Sequence, residues 1–266
     1  MPEFPSPTRV EGAVAVFADA HLGQVEGDAD DFLAALEGVR RDGVRTVVLL
    51  GDIFHYFFGD PRLETPVHRR VIDAWRGLKA SGVAVRYVEG NRDFFLEGSP
   101  LADAFSKYGV TDGLAVGGKT FAFVHGDRVN TADLPYRFWR VVSKNPVSRA
   151  LLKVVPGPMA RAIVAKTEAR LYRSNFRHKC VLPEEALLAE ARRAQAAGYD
   201  QVLVGHFHVA RVLSSPGGVA QVLPAWLEER KHAEIAPDGR LTIVEEESAE
   251  RAVKRGFGPV AAAASV

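Results

Sequence analysis

The chain has 266 residues, of which 47% are hydrophobic and 25% are charged. This composition is that of an ordinary soluble protein with one large domain or one domain carrying an insertion, and no stretch reaches the length of a membrane span. The single cysteine, Cys180, excludes a disulfide framework and a thiolate metal site. Because the N-terminus lacks the apolar core of a signal peptide, we expect a cytoplasmic protein.

The net charge of +1 conceals an asymmetry along the chain. Residues 128–180 contain twelve Lys and Arg, opposed by Asp133 and Glu168 alone, so this segment carries +10 and the remainder −9. A solvated helical surface would explain some of this charge. A segment with such an excess of positive charge more often binds an anionic partner such as phosphate, anionic lipid or nucleic acid.

The first half of the chain alternates strand and helix patterns. Residues 14–17, 46–50 and 83–88 read as short buried strands, while 30–41 and 64–80 have helical spacing. This alternation predicts parallel strands joined by right-handed crossovers.

The second half is richer in strands and is interrupted by the basic segment. In order, we predict a short helix at 101–108, a strand at 121–124, two helical parts of the basic segment separated at Pro156-Gly157-Pro158, a helix at 184–197, a strand at 201–204 and then short strands joined by turns. The tail at 249–266 has no core pattern, and we expect it to be disordered.

Side chains of metal-ligand type follow five predicted strands. They are Asp19 and His21, Asp52, Asn91, His125, and His206 with His208. Open α/β sheets place ligand sites at the carboxyl ends of strands, and a carboxylate such as Asp52 can bridge two ions through its two oxygens. Oxygen and nitrogen ligands without sulfur suit Mn, Fe or Zn better than Mg or Ca. One strand-end histidine is more often structural than a ligand, but five blocks in this order favour a metal site.

These blocks, Asp-x-His, Gly-Asp, Gly-Asn, His-Gly-Asp and Gly-His-x-His, together resemble the calcineurin-like metallophosphoesterases over roughly residues 13–245. The resemblance implies an α/β fold with a central β-sandwich flanked by helices in αββα layers, and a two-metal site. Two variant motifs, Gly90-Asn91-Arg92-Asp93-Phe94 and Phe57-Phe58-Gly59-Asp60, resemble the UDP-2,3-diacylglucosamine diphosphatase family within that group.

That resemblance implies hydrolysis of UDP-2,3-diacylglucosamine to UMP and 2,3-diacylglucosamine 1-phosphate (lipid X) in lipid A biosynthesis, with two divalent ions, Mn²⁺ in the family. It also implies a core at residues 10–127 and 181–248 and an inserted basic helical lid at 128–180. An acylated UDP-sugar and an anionic membrane surface are the expected partners, on the cytoplasmic face of the inner membrane. Nucleic acid is not expected, and the oligomeric state stays open.

The resemblance also suggests residue roles. Asp19, His21, Asp52 and His208 would hold one ion, and Asp52, Asn91, His125 and His206 the other. Asn91, Arg92 and His206 would act in catalysis, with Asp60 and Asp127 orienting their neighbours. The substrate contacts implied are Arg92, Asp133, Tyr136, Asn175 and Lys179. Phe207 and His55 depart from the family pattern and leave the exact lipid open.

Three other functions are compatible with parts of the sequence. They are another phosphoesterase of the same superfamily, such as a nucleotide phosphodiesterase or a phosphoprotein phosphatase, a non-catalytic protein-binding scaffold, and nucleic-acid binding through the basic segment. Arg92 and the apolar, basic insertion favour a lipid diphosphatase, and a scaffold could afford to lose ligands that are all present here. We also expect the insertion to be separable from the metal site, because the ligands all lie outside it.

Overall fold

The structure is a computed structural model that describes residues 2–131, 134–175 and 182–246, with the backbone alone at 135 and 167–175. Its strands are β1 (Thr8–Arg9), β2 (Val14–Phe17), β3 (Thr46–Leu49), β4 (Phe57–Phe58), β5 (Ala84–Val88), β6 (Asp93–Phe94), β7 (Lys107–Gly109), β8 (Thr111–Val116), β9 (Lys119–Val124), β10 (Gln201–Val204), β11 (Arg211–Ser215), β12 (Gly218–Val222), β13 (Lys231–Ile235) and β14 (Leu241–Glu245). Its helices are α1 (Asp28–Arg41), α2 (Pro66–Ala80), α3 (Leu134–Ser143), α4 (Pro146–Val154), α5 (Gly157–Asn175), α6 (Glu184–Ala196) and α7 (Trp226–Glu229).

The strands form two six-stranded sheets and one small pair. One large sheet has the order β14-β13-β2-β3-β5-β7, and the other has the order β1-β8-β9-β10-β12-β11. The strands β2, β3, β5 and β7 are parallel, and so are β9, β10 and β12. The predicted βαβαβ arrangement of the first half is confirmed.

The alternation of side chains along β2 shows how the layers are built. Val14 and Val16 pack between the two sheets with residues such as Phe121 and Phe123 of β9. Ala15 and Phe17 point to the opposite face, where α1 and α2 cover the first sheet. Helix α6 covers the outer face of the second sheet in the same way. The molecule therefore has αββα layers, and its central strands β2 and β3 are apolar on both faces because both faces are buried.

Two predicted helices have different bounds in the structure. The predicted helix at 101–108 is wrong: a single 3-10 turn spans Ala102–Ala104, and the chain then forms β7 along the open edge of β5. The predicted helix at 64–80 begins at Pro66, because the Thr65 side chain accepts from the His68 backbone N–H and so caps the helix.

The basic segment contains three described helices where two helical parts were predicted. The break before Gly157 is confirmed, and a second break falls between α3 and α4. A small apolar cluster of Leu63, Ala160 and Val164 packs α5 against the core. None of the helices within the described residues has both the length and the apolar character that a membrane span needs.

Candidate metal centre

The predicted metal-ligand residues meet at one end of the sandwich. They come from the carboxyl ends of β2, β3 and β5 in one sheet and of β9 and β10 in the other. Asp19, Asp52 and His125 are at most 1% exposed, and His21 is 2% exposed. A group this polar is not buried to fill a hydrophobic core, because desolvation of a charge is costly without compensation.

The backbone at this end of the molecule is unusual. Seven described residues other than glycine have a positive φ, and five of them are predicted ligands: Asp19 (52°), His21 (45°), Asp52 (51°), His206 (71°) and His208 (54°). L-residues rarely adopt this conformation, and such strain concentrates at functional sites. Backbone hydrogen bonds hold it in place, from Asp19 N–H to Gly51 O at 3.3 Å and from His21 N–H to Asp52 O at 3.0 Å.

Asp19, His21 and His208 form the first group of possible ligands. The Nε2 atoms of His208 and His21 lie 3.4 Å and 3.8 Å from Asp19 Oδ1, and 3.3 Å from each other. The ligand atoms of the three residues all lie within 4.8 Å of one another, which is compact enough for one ion. The Nδ1 atom of His208 lies 2.8 Å from Glu228 Oε1, and since a carboxylate accepts, Nδ1 donates and Nε2 faces Asp19.

Asp19, Asp52 and His125 form the second group of possible ligands. His125 Nε2 lies 3.7 Å from Asp52 Oδ2 and 3.1 Å from Asn91 Oδ1. Its Nδ1 atom donates to the carbonyl of Leu50 at 2.9 Å, so the lone pair of Nε2 faces the carboxylates. Asp19 therefore belongs to both groups, whereas the sequence suggested Asp52 as the shared residue.

The unbalanced charge of the site fits divalent metal ions. Among the described residues, neither Asp19 Oδ1 nor Asp52 Oδ2 has a hydrogen-bond partner, although both are buried. Burial alone would raise the pKa of Asp19, but the facing imidazoles of His208 and His125 overcome it and lower that pKa well below its usual range. A site that stabilises a buried carboxylate in this way is suited to a cation, and oxygen and nitrogen donors suit a borderline divalent metal.

Two glycines make the approach of these groups possible. A Cβ at Gly51 would stand 2.6 Å from His125 Nδ1, and a Cβ at Gly90 would collide with Asp52 Oδ1. Gly51 also has a φ of 77°, which lets the chain turn directly after β3. The glycines of the Gly-Asp and Gly-Asn blocks are thus needed because a larger residue would not fit between these side chains.

Arg92 lies beside the second group of ligands. Its backbone N–H donates to Asp52 Oδ1 at 2.8 Å, its Nε lies 3.8 Å from Asp52 Oδ2, and Nη1 donates to the carbonyl of His55 at 3.1 Å. Among the described contacts, the Arg92 side chain does not pair with the adjacent Asp93. Asp93 is buried and accepts instead from Tyr87 Oη and from the backbone of Gly90 and Asp52.

Of the four predicted substrate contacts in the basic segment, the structure describes the side chain of Tyr136 alone. Asp133 and Lys179 lie outside the described residues, and of Asn175 only the helical backbone is described. The Tyr136 hydroxyl donates to Asp127 Oδ2, so the structure places it on the core near His125 but not among the ligands. Asp60 binds Arg62, which donates to the carbonyls of Leu152 and Val155, so it fastens the insertion and does not orient a ligand.

A second, half-buried cluster, which was not predicted from the sequence, joins α3 to the strand ends. Glu89 Oε1 accepts from Arg140 Nη2 and from Lys144 Nζ, both at 2.8 Å, and Glu89 Oε2 accepts from Tyr108 Oη. Arg140 Nη1 also donates to Asp127 Oδ2 at 2.7 Å, and Lys144 Nζ donates to the carbonyl of Gly90 at 2.6 Å. Arg140 and Lys144 thus hold the loops that carry Asn91 and His125. Glu228 was missed as well, since no motif spacing marked it.

The Arg140 cluster is an ion network with strong mutual stabilisation. Burial alone would raise the pKa of Asp127, but Arg140 and then His125 and Lys144 hold it at about 2. Burial lowers the pKa of Lys144, with Glu89 opposing that shift. Removing one member would therefore leave an opposite charge buried without compensation.

Comparison with known proteins agrees with this fold. The family model for calcineurin-like phosphoesterases matches residues 12–210. The chain belongs to the calcineurin-like phosphoesterase family and is a metal-dependent phosphodiester hydrolase. The predicted fold class is confirmed.

Two relatives that are similar over most of the chain have the same name. A protein of Ralstonia nicotianae named UDP-2,3-diacylglucosamine hydrolase is 31% identical over 83% of this chain and 86% of its own length. A protein of Pseudomonas putida F1 with the same name is 29% identical over 73% of this chain and 81% of its own length. The structure of an archaeal phosphodiesterase is similar in fold, with a TM-score of 0.50 and 12% identity over 88% of this chain and 99% of that chain.

Proposed function

We propose that this protein hydrolyses the diphosphate of UDP-2,3-diacylglucosamine to UMP and 2,3-diacylglucosamine 1-phosphate, a reaction of lipid A biosynthesis. The observation that carries the proposal is the pair of buried carboxylates, Asp19 and Asp52, each with one oxygen that no described residue hydrogen-bonds, next to the guanidinium of Arg92. The names of the relatives supply the substrate, since two of them share the name of a hydrolase of this compound.

Two divalent ions, which we propose to be Mn²⁺, would be held by the two groups of ligands. Asp19, His21 and His208 would hold one ion, and Asp52, Asn91, His125 and His206 the other, with Asp19 or Asp52 shared between them. Bound ions of this kind stabilise the charge that develops on phosphoryl oxygens during in-line displacement.

The side chains of the protein have separate tasks in this proposal. Arg92 presents a planar fork of donors next to Asp52, where it would bind oxygens of the diphosphate. The Leu50 carbonyl and the Glu228 carboxylate keep the Nε2 atoms of His125 and His208 directed at the site. Asn91 and His206 complete the wall of the site at the ends of β5 and β10.

The described part of the insertion offers surface for an acylated substrate and for a membrane. Large apolar side chains on α3, α4 and α5 are exposed, with Phe138 at 72% and Val154 at 77%, and others at Leu134, Val141, Val147, Leu151, Met159 and Ile163. Basic residues of the same segment add attraction to anionic headgroups. We propose that these helices rest on the cytoplasmic face of the inner membrane while the acyl chains of the substrate lie against them.

Parallel hydrolysis assays would test the substrate. Release of UMP from UDP-2,3-diacylglucosamine would be measured beside hydrolysis of bis(p-nitrophenyl) phosphate, with Mn²⁺ present and after chelation. We expect both activities to need the metal, with the acylated substrate strongly preferred. Metal-dependent cleavage of the small ester without release of UMP would make the protein another phosphoesterase of this family.

A change at Arg92 would test its role in binding the second phosphate. We expect Arg92→Ala to impair hydrolysis of UDP-2,3-diacylglucosamine far more than that of the small ester, which lacks a second phosphate. Arg92→Lys keeps the charge but not the fork, and should lie between the two. Equal losses on both substrates would mean that Arg92 supports Asp52 and not the diphosphate.

A further inference from the structure

A cavity of about 630 Å³ lies between α3 and the edge of the first sheet. Its walls include Glu89 and Tyr108 on the sheet side, Arg128 from the loop after β9, and Tyr136 and Val141 of α3. None of the predicted metal ligands, nor Arg92, is among its described lining residues. It is therefore a different space from the metal centre, although the Arg140 cluster separates the two by only a few side chains.

The lining of this cavity has more positive than negative charge. Of its five cations, Arg140 and Lys144 are paired with Glu89. Within the described ranges, Arg128, Arg137 and Arg149 make no ion pair with a carboxylate. Arg137 and Arg149 each donate one hydrogen bond to a backbone carbonyl, at 3.2 Å and 3.0 Å. Three guanidinium groups therefore face one cavity with donors to spare.

Arg128 is the most informative of the three. Its side chain is half-buried, yet no described group accepts a hydrogen bond from its guanidinium. Burial lowers its pKa and the nearby charge of Arg140 lowers it further, while the more weakly acting carboxylates Asp127 and Glu89 raise it. A desolvated cation next to another cation costs stability, and an apolar side chain would be better tolerated unless an anion completes the site.

We propose that this cavity is an anion-binding site, separate from the metal centre, which holds a phosphoryl group against Arg128, Arg137 and Arg149. Guanidinium groups match phosphoryl oxygens in bidentate geometry, which lysines would not. Phe95, Tyr108 and Val141 add apolar wall, so the ligand is larger than phosphate alone. Its phosphoryl group belongs either to a soluble phosphate ester or to a lipid headgroup, because the exposed Leu134 and Phe138 continue α3 outward from the cavity.

Calorimetric titration of the metal-loaded protein with inorganic phosphate would test the site. Arg128→Met replaces the aliphatic part of the side chain with an unbranched apolar one and removes the guanidinium charge. Arg69→Met removes the same charge from an exposed position of α2 and serves as the control. We expect Arg128→Met to weaken binding of one phosphate at least tenfold and Arg69→Met to leave it unchanged. Both variants should hydrolyse bis(p-nitrophenyl) phosphate normally, which would show an intact metal centre.

Denaturation without phosphate gives a second test, in which Arg128→Met should improve a property of the protein, its stability. If an anion normally compensates Arg128, Arg128→Met should raise the urea midpoint in phosphate-free buffer while Arg69→Met leaves it unchanged. A lower midpoint for Arg128→Met, or phosphate binding equal to that of Arg69→Met, would overturn the proposal.

Sedimentation with vesicles would identify the source of the phosphoryl group. For a lipid headgroup, Arg128→Met should reduce binding to phosphatidylglycerol vesicles severalfold more than Arg69→Met does, and inorganic phosphate should compete. For a soluble phosphate ester, both variants should bind vesicles equally while Arg128→Met alone loses affinity for UMP or phosphate.

Discussion

Two clusters of carboxylates lie at the strand ends, the second with one buried and one half-buried member, and they differ in what compensates their charge. In the cluster of Asp19 and Asp52, each residue has one oxygen without a hydrogen bond from any described group, and imidazole nitrogens face these oxygens. In the cluster of Glu89 and Asp127, Arg140 donates to both carboxylates. Burial alone therefore does not mark a ligand site, and what distinguishes Asp19 and Asp52 is that their buried oxygens face imidazoles and accept no hydrogen bond from the described residues.

The comparison also shows what the insertion contributes to the core. The second cluster is completed by cations of the basic segment, namely Arg140 and Lys144, whereas in the first cluster Asp19 Oδ1 and Asp52 Oδ2 accept no hydrogen bond from the described residues. Members of both clusters lie in the same two loops. Glu89 precedes Gly90 and Asn91 in one loop, and Asp127 follows His125 by two residues in the other. The ion network can thus fix loops whose other side chains serve as ligands.

The largest effect should come from removing a charge in the first cluster. Asp52→Asn keeps the shape of the side chain, but it removes the negative charge that faces His125 and Arg92. We expect turnover to fall by at least about 10³-fold, as when a central electrostatic group of an active site is removed, together with loss of bound metal. Turnover and metal content of the folded variant would be measured together.

Asp112→Asn is the matched control for this change, because Asp112 is also buried but is paired with Arg86 and Lys107. It should lower stability and leave metal content and turnover of the folded protein intact. A metal-loaded Asp52→Asn protein with near-normal turnover would end the two-metal proposal.

The second cluster should respond in stability. Arg140→Met leaves Asp127 and Glu89 buried with less compensation, and breaking such a pair costs about 3–5 kcal/mol. Arg137→Met, one turn earlier on the same exposed helix, removes a cation without a carboxylate partner among the described residues. Urea denaturation should show a large loss for the first variant and almost none for the second. Equal midpoints would mean that the network does not hold α3 to the core.

The same network revises the expectation that the insertion can be replaced by a short linker. A Gly/Ser linker in place of residues 128–180 would remove Arg140 and Lys144, which donate to Glu89, to Asp127 and to the Gly90 carbonyl. We therefore expect such a deletion to disturb the loops of Asn91 and His125, and with them metal binding. Removing only the outer helices α4 and α5 would be the less damaging change.

The parts predictable from sequence are those set by local patterns and by residue types. Apolar runs after which Asp19, Asp52 or His125 follow directly predict buried parallel strands, and parallel strands bring their carboxyl ends to one edge. That these side chains come together could therefore be expected before any coordinates. The strand β7 could not, because residues 107–109 become a strand through pairing with the open edge of β5.

Contacts between distant segments left no comparable signal. In the sequence, Arg140 and Lys144 belong to a basic segment that could be a solvated surface. Both instead donate to Glu89, more than fifty residues earlier, and Arg140 also donates to Asp127. Glu228 is one of two adjacent glutamates, and only the structure shows that it is the one that reaches His208. Counting charges along the sequence does not show which cations pair with carboxylates of the protein, as Arg140 does, and which could bind a ligand.

A smaller effect is expected where a residue supports a ligand without contacting the metal. Glu228→Gln should loosen the orientation of His208, and changes of this kind lower metal affinity by about 10- to 100-fold. Glu229→Gln is the matched control, because Glu229 pairs with Lys231 at the surface. Competition with a chelator would measure the affinity of each variant. Equal affinities would show that Glu228 does not position His208.

The smallest expected effect concerns a buried group that is satisfied only when neutral. His68 Nδ1 accepts from the Thr65 backbone N–H at 3.0 Å, and Nε2 lies 2.9 Å from the carbonyl of Tyr56, to which it donates. Burial lowers the pKa of His68 below 6.5, so the unfolded chain binds the proton first and folding stability falls as the pH drops below about 6.5. His68→Asn keeps an acceptor for Thr65 but cannot titrate. Between pH 7.5 and 5.5, the free energy of unfolding should decrease less for His68→Asn than for the wild type. The two slopes should differ by at most the effect of one proton, about 1.4 kcal/mol per pH unit. Identical slopes in urea denaturation would mean that His68 takes up its proton equally in the folded and unfolded chains.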